Sequence, residues 1–262
     1  MLKAFFTSAT GMRAQELLID NTANNLANVN TTGFKKSHVE FSDLIYDVSK
    51  VPGAPIGDGQ VAPIGLQIGN GVRATGTTNV FTQGAPIEDG IDTHMAIKGE
   101  GFFKVIDSGS LIGYTRDGSF TQNAFGELVN SQGYRLDPGI TIPNTGGQIS
   151  ISNSGVVSIQ QQGEPEPVEL GQIQLFRFAN PTGLRQAGGN LYEATQASGQ
   201  EIAGTPSLDG FGNIQSRSLE SSNVEVVSEM VSLITAQRAY EINSRAIKAG
   251  DEMLSTTAQI VR

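Results

Sequence analysis

Cysteine is missing from this 262-residue chain, and tryptophan is missing with it. Without thiols there is no disulfide frame, no thiolate metal site and no cysteine nucleophile. That suits the cytoplasm, and equally an oxidising compartment where a stray thiol is a liability. Histidine is almost absent as well: His38 and His94 stand in unrelated contexts, too few for a histidine-built metal site. No apolar run approaches the ~20 residues of a membrane-spanning helix, so direct membrane insertion is not expected. The first fifteen residues lack the apolar core of a secretory signal. The chain is therefore expected to stay in the cytoplasm or to leave it by a route that cleaves nothing. Basic residues are scarce too. Seventeen Lys and Arg against 26 Asp and Glu give a net charge of −9, which argues against nucleic acid as the partner.

The chain has plenty of glycine, 32 residues of it, and a helical signal at each end. From Leu2 onward, apolar or small residues recur at Phe5, Ala9, Met12, Ile19, Ala23 and Leu26. The steps alternate three and four, broken at Glu16, which is the spacing of a helix seam. The stretch from Asn21 to Asn30 holds five asparagines, although asparagine is a poor helix former. On a helical wheel Asn21, Asn24, Asn25 and Asn28 fall within about 100° of one another, roughly opposite the Ile19–Ala23–Leu26 stripe. They form a second face, while Asn28 and Asn30 also mark the helix end.

At the other end, Glu220-Ser221-Ser222-Asn223 supplies N-cap candidates for a helix running to about Ile260. It carries two neighbouring stripes, one through Val226, Met230, Leu233, Gln237, Tyr240 and Ile247, the other through Val227, Val231, Ile234, Ile242 and Met253. Such a helix reaches roughly 55 Å, more than a domain of this size needs for its own core. The two terminal helices are expected to pair as a parallel or antiparallel coiled coil, with the leftover apolar stripes and the amide face covered by other copies of the chain.

Between the ends, short strand-like runs such as Gly101 to Ile106, Gln148 to Ile151 and Gln172 to Phe176 alternate with turn signals. The spacing predicts antiparallel β from about residue 66 to 215, and hence an α+β fold. Residues 51–65 contain three prolines and four glycines, which excludes a helix or a central strand.

Chemistry is sparsely represented. Glu88, Asp89 and Asp92 are the only carboxylate cluster suggestive of glycan hydrolysis, and a solvated turn explains them far better. Gly69-Asn70-Gly71-Val72-Arg73-Ala74 matches a loose dinucleotide pattern but leads into β-type sequence, not a helix. Neither a Gly-Lys-Ser/Thr phosphate loop nor a Gly-x-Ser-x-Gly elbow occurs. No catalytic residue, cofactor or metal is expected; the residues favour binding over catalysis.

Longer motifs carry a resemblance. Ala23-Asn24-Asn25-Leu26-Ala27-Asn28, followed by Thr32-Gly33-Phe34-Lys35, resembles the N-terminal signature of the bacterial flagellar rod and hook proteins. Ser222-Asn223-Val224 with Gln237-Arg238-Ala239-Tyr240-Glu241-Ile242-Asn243 resembles their C-terminal signature. Ala96 to Phe103 and Tyr114 to Phe120 are similar to the start of their middle domain. One departure is local: Thr93-His94-Met95 stands where relatives commonly carry an acidic residue between apolar ones. Within the family, the length and the 52–65 segment look most like distal rod subunits, with proximal rod or hook subunits as the alternative.

The resemblance implies a structural subunit that polymerises into a helical tube, is exported through the flagellar type III apparatus without cleavage, and crosses the periplasm. It implies contact with proximal rod proteins, the hook protein and the surrounding basal-body rings. Residues 1–34 and 220–262 then form a helical assembly domain, 35–75 a connecting segment with a rod-type Pro/Gly-rich insertion, and 76–219 a β-rich outer domain. Self-assembly is expected to use Asn21, Asn24, Asn25, Leu26, Asn28, Gly33, Phe34, Gln237, Arg238, Tyr240 and Asn243. An amide face gives directional hydrogen bonds without mutual charge repulsion, which suits helices stacked in many copies. Pro52, Pro55, Ile56, Pro63 and Ile64 are expected to stiffen the rod by lying against a neighbouring subunit.

Overall fold

The computed structural model describes residues 2–53, 55–57, 60–61, 63–107, 109, 111–143, 147–161 and 167–260. Its α+β architecture divides into two units: residues 1–27, 37–78 and 225–262 form the first, 28–36 and 79–224 the second.

The first unit is built on helix α1, Leu2–Ala27, and helix α2, Val226–Ile260. They run antiparallel. Phe5 lies against Gly250, Gly11 against Asn243 and Asn25 against Glu229, so positions descend along α2 as they ascend along α1. On α1 the buried and half-buried line runs Ser8, Gly11, Gln15, Leu18, Thr22, Asn25; on α2 it runs Glu229, Ser232, Ala236, Ala239, Asn243, Ile247, Gly250. Most of these side chains are small, so the two backbones approach closely. A methyl added at Gly250 would come within 2.8 Å of the Phe5 ring, and one at Gly11 within 3.0 Å of the Asn243 amide.

The seam differs from the apolar stripes read in the sequence. Val227, Met230, Val231, Ile234, Ile242 and Met253 all face solvent, Val227 being 69% exposed. Two helices of this length bury only a narrow line between them. The small residues that permit close packing take that line, and the larger apolar groups are left outside it.

The flank of α1 beside this seam meets strand Ser37–Asp43, which pairs with Val72–Asn79. Ala14 and Val39 are buried there. The Val72 N–H donates to Thr10 Oγ1 at 3.4 Å, so the Gly-x-Gly stretch before it opens a strand. From this pair a two-stranded ribbon extends: Asp47–Lys50 pairs antiparallel with Leu66–Ile68, and beyond it Pro55–Gly57 with Gln60–Val61. A ribbon has only edges, so prolines sit in it without breaking a central ladder.

In the second unit the described strands all pair antiparallel. A seven-stranded sheet runs in the order Thr121–Gln122, Leu128–Val129, Arg135–Asp137, Phe103–Ile106, Ile112–Thr115, Leu191–Glu193, Arg185–Gly188. A three-stranded sheet of Gln148–Ile151, Val156–Gln160 and Val168–Gln172 accompanies it. Alternate residues such as Phe103, Val105, Val157 and Ile159 point into a shared aliphatic core. A second cluster is aromatic, with Tyr114 and Phe178 edge to face at 4.7 Å and Phe102 beside Phe81 at 5.4 Å.

Candidate functional site

Three charged side chains meet inside the second unit. Lys35 Nζ donates to Glu220 Oε1 at 2.5 Å and to the Thr82 carbonyl at 2.7 Å. Arg116 Nη1 donates to Glu220 Oε2 at 3.4 Å, and the Gly84 N–H to Oε1 at 2.9 Å. All three side chains are withdrawn from solvent. Burial lowers the pKa of the Lys35 ammonium, against the pull of Glu220, and it lowers that of the Arg116 guanidinium in the same way.

Each partner is placed by its local chain. Gly33, φ +67°, turns the segment after α1 so that its N–H donates to the Glu220 carbonyl at 2.8 Å. A Cβ there would sit 2.5 Å from the Asp117 nitrogen, so this left-handed position also abuts backbone. Thr32 Oγ1 donates to Asp117 Oδ1 at 2.9 Å. Asn223, expected as an N-cap, instead accepts from the Lys36 N–H at 2.8 Å and donates to the Val80 carbonyl at 2.7 Å. Helix α2 starts at Val226, with the Glu229 N–H donating to the Glu225 carbonyl. Nothing in the composition singled out this cluster; the signal available was that Lys35 and Arg116 lie inside two of the long motifs and Glu220 two residues before a third.

The asparagines of α1 divide. Asn25 is buried: its Oδ1 accepts from the Ser37 N–H at 3.0 Å, and its Nδ2 donates to the Ser37 carbonyl at 2.9 Å and to Glu229 Oε2 at 3.3 Å. Asn21 Nδ2 reaches the same carbonyl at 2.8 Å. These two amides therefore hold strand and helix of one chain together, on the face expected to be covered by other copies. Asn24 is exposed and Leu26 half-buried. Asn28 accepts from Thr31 Oγ1 just past the helix end, and Phe34 is half-buried two residues after Thr32. On α2, Gln237, Arg238 and Tyr240 are exposed, whereas Asn243 is half-buried on the seam.

The ribbon exposes apolar side chains on both strands, among them Ile45 (87% exposed), Val48, Val51, Ile64 (78%), Leu66 and Ile68. Pro52 and Pro63 are exposed in its turns. Pro55 and Ile56 lie on its distal strand Pro55–Gly57. Two of the surface acids are engaged separately: Asp89 contacts His94 Nδ1, and Arg217 Nε donates to Asp92 Oδ1 at 2.7 Å. Among the described residues no group of three or more His, Cys, Asp or Glu is placed to hold a metal ion, and no helix is long and apolar enough to cross a membrane.

Comparison with known proteins decides what this frame belongs to. Residues 6–35 match the family described as flagella basal body rod protein, residues 96–159 the flagellar hook protein FlgE/F/G D1 domain, and residues 215–260 the flagellar basal body rod FlgEFG protein C-terminal region. Over the whole of both chains, the sequence is 46% identical to the flagellar basal-body rod protein FlgG of Borreliella burgdorferi. It is 42% identical to that of Caulobacter vibrioides over 99% of each chain, and 36% identical to that of Bacillus subtilis over the whole of both. The chain belongs to the family of flagellar basal-body rod proteins. Such a rod protein is a structural component, not an enzyme, and the glycan-hydrolase alternative finds no support. In this rod protein each of the three matched segments contributes one member of the buried cluster: Lys35 from the first, Arg116 from the second, Glu220 from the third.

Proposed function

We propose that the chain is the subunit of the flagellar distal rod, self-assembling into a rigid helical tube that crosses the periplasm and transmits motor torque to the hook. One observation carries this beyond family membership: the apolar stripes of α2 face solvent along a helix whose inward line is already filled by small residues. Contiguous exposed apolar surface of this kind marks an interaction site. A helical polymer of identical chains supplies its cover repeatedly, by heterologous contacts that do not close.

In this reading α1 and α2 pair as an antiparallel coiled coil, supported by the alternating three- and four-residue steps of both buried lines. Asn24, Gln237, Arg238 and Tyr240 lie on the exposed sides and face neighbouring subunits. The ribbon, with Pro52, Pro55, Ile56, Pro63 and Ile64, wedges against a neighbour and resists bending. Proximal rod proteins, the hook protein, the basal-body rings and the type III export apparatus are the expected partners.

The test is polymerisation of the purified chain, followed by sedimentation and electron microscopy, with Val231→Asp/Ile234→Asp as the comparison. Straight tubes from the parent and none from the double variant are expected. A parent that stays monomeric at all concentrations, or a variant that assembles as well, overturns the reading. Antibody labelling of isolated basal bodies decides position: label at the hook-proximal end of the rod supports a distal subunit, and label at the inner end indicates a proximal one.

A further inference from the structure

Helix α1 has a third side, turned away from both its seam with α2 and its strand pair. Arg13, Leu17 and Asp20 stand on it in solvent. Between this side and strand Val72–Asn79 runs a groove within the first unit. It consists of two adjoining hollows of about 370 and 500 Å³ that share Leu17 and Ala74 as walls. One end lies at Thr10 and the other at Asn21, so the groove is roughly 16 Å long, about three turns of a helix. Its floor is apolar, with Ala14 and Val39. Gly76 keeps the strand side open, since nothing lies within 4 Å of where a Cβ would stand there. Arg13 and Asp20 mark the rim. On a helical wheel they lie within about 20° of each other, two turns apart. Neither forms an ion pair among the described residues.

Helix α2 carries the counterpart. Ile242, Ala249 and Met253 share an exposed stripe about 40° wide, and Arg245 and Glu252 flank it, again two turns apart and within about 20°. Laid antiparallel on α1, this stretch brings Arg245 to Asp20 and Glu252 to Arg13 in one register, with Ala249 over Leu17. The parallel alternative sets Arg245 against Arg13 and Glu252 against Asp20, so charge selects the direction. Arg245 has one contact of its own, to Glu241, at 3.8 Å between side chains 80% and 65% exposed, and a pair so wet yields at little cost. The chain's own α2 cannot supply the match. Its seam sets Gly11 against Asn243, which leaves Leu17 level with about residue 237, roughly 18 Å from Ala249 along the helix.

We propose that the groove receives residues 242–253 of α2 from a second copy of the chain, antiparallel to α1, with the pairs Arg13–Glu252 and Asp20–Arg245 at its two ends. The order and spacing of the charges, the matching length of groove and stripe, and the exposed apolar line between the charges all identify the occupant as this chain.

The inference rests on the self-assembly reading above and names the surface that covers part of the α2 stripe. Its test compares the critical concentration for polymerisation of the parent, Arg13→Glu, Glu252→Arg and the double variant, with thermal unfolding as the fold control. Each single reversal should raise the critical concentration about fivefold or more, and the double should return to within about twofold of the parent. All four should melt alike, because both side chains are exposed. A second measurement uses the absence of native cysteine. Leu17→Cys and Ala249→Cys chains, mixed, polymerised and mildly oxidised, should give a disulfide-linked pair containing one of each. A parent that does not polymerise sinks the self-assembly reading, and this inference with it. If the parent polymerises, three results overturn this inference alone: single reversals that match it, a double variant no better than the singles, or no mixed cross-link.

Discussion

The ammonium of Lys35 and the carboxylate of Glu220 meet at 2.5 Å although 185 positions separate them, and neither side chain reaches solvent. Glu220 is hydrogen-bonded to both buried cations, so its loss and the loss of a cation are unequal. Glu220→Gln strands two charges and should cost about 3–5 kcal/mol of unfolding free energy. Lys35→Met leaves Arg116 paired and removes the excess charge, and should cost distinctly less. Urea denaturation of the two variants orders them; equal costs would refute the asymmetry.

Tyr192 gives the β-rich unit an alkaline limit. Burial first, with the nearby Glu220 charge adding to it against Arg116 and Gln186, pushes its phenol up to about 12 from an ordinary value of 10. Between those values the folded state keeps a proton that the unfolded state has released, so stability falls as pH rises. The loss should be on the order of 2 kcal/mol by pH 12. Melting temperatures from pH 9 to 12 should fall less steeply for Tyr192→Phe than for the parent.

Neighbouring asparagines on α1 should behave differently. Asn25→Ala removes both amide partners of Ser37 on that side chain and a donor to Glu229, and should destabilise the first unit by about 2–3 kcal/mol. Asn24→Ala, on the exposed side, should change stability by no more than about 0.5 kcal/mol while weakening polymerisation. Thermal melts paired with sedimentation separate the effects; an Asn24→Ala polymer as robust as the parent's removes Asn24 from the assembly face.

Deleting residues 52–64 should leave a protein that folds and polymerises into curved or pliable tubes. Lys50 already pairs with Leu66, so the deletion joins them through Val51 and Gly65, a two-residue hairpin connection with glycine in it. The distal ribbon goes while both helices remain. Electron microscopy reads the result: rigid, straight tubes would remove the stiffening role.

What the sequence made legible follows what its patterns measure. Strand Gln148–Ile151 and the turn at Asn153 to Gly155 were plain because alternation and turn chemistry are local. Helix α2 was plain because its periodicity extends over many turns. Its seam was not, because hydrophobic stripes mark surfaces that seek cover, and Val227 or Ile242 finds none within a single chain. The line that does close on α1 passes through Ala236, Ala239 and Gly250, chosen for lack of bulk. The ribbon escaped because proline content excludes a central strand and says nothing against two edges. The buried cluster escaped because Lys35, Arg116 and Glu220 are ordinary charges until the fold brings them together; only the places of Lys35 and Arg116 within long motifs, and of Glu220 just before one, set them apart.

The span of the Lys35–Glu220 contact has a further consequence. A chain delivered from its N-terminus presents Lys35 and Arg116 long before residue 220 arrives, and until then the two cations repel each other in an interior that has no anion to reconcile them. The β-rich unit therefore gains this contact only when its own final residues are present, and a fragment ending before Glu220 keeps two buried cations without their shared carboxylate.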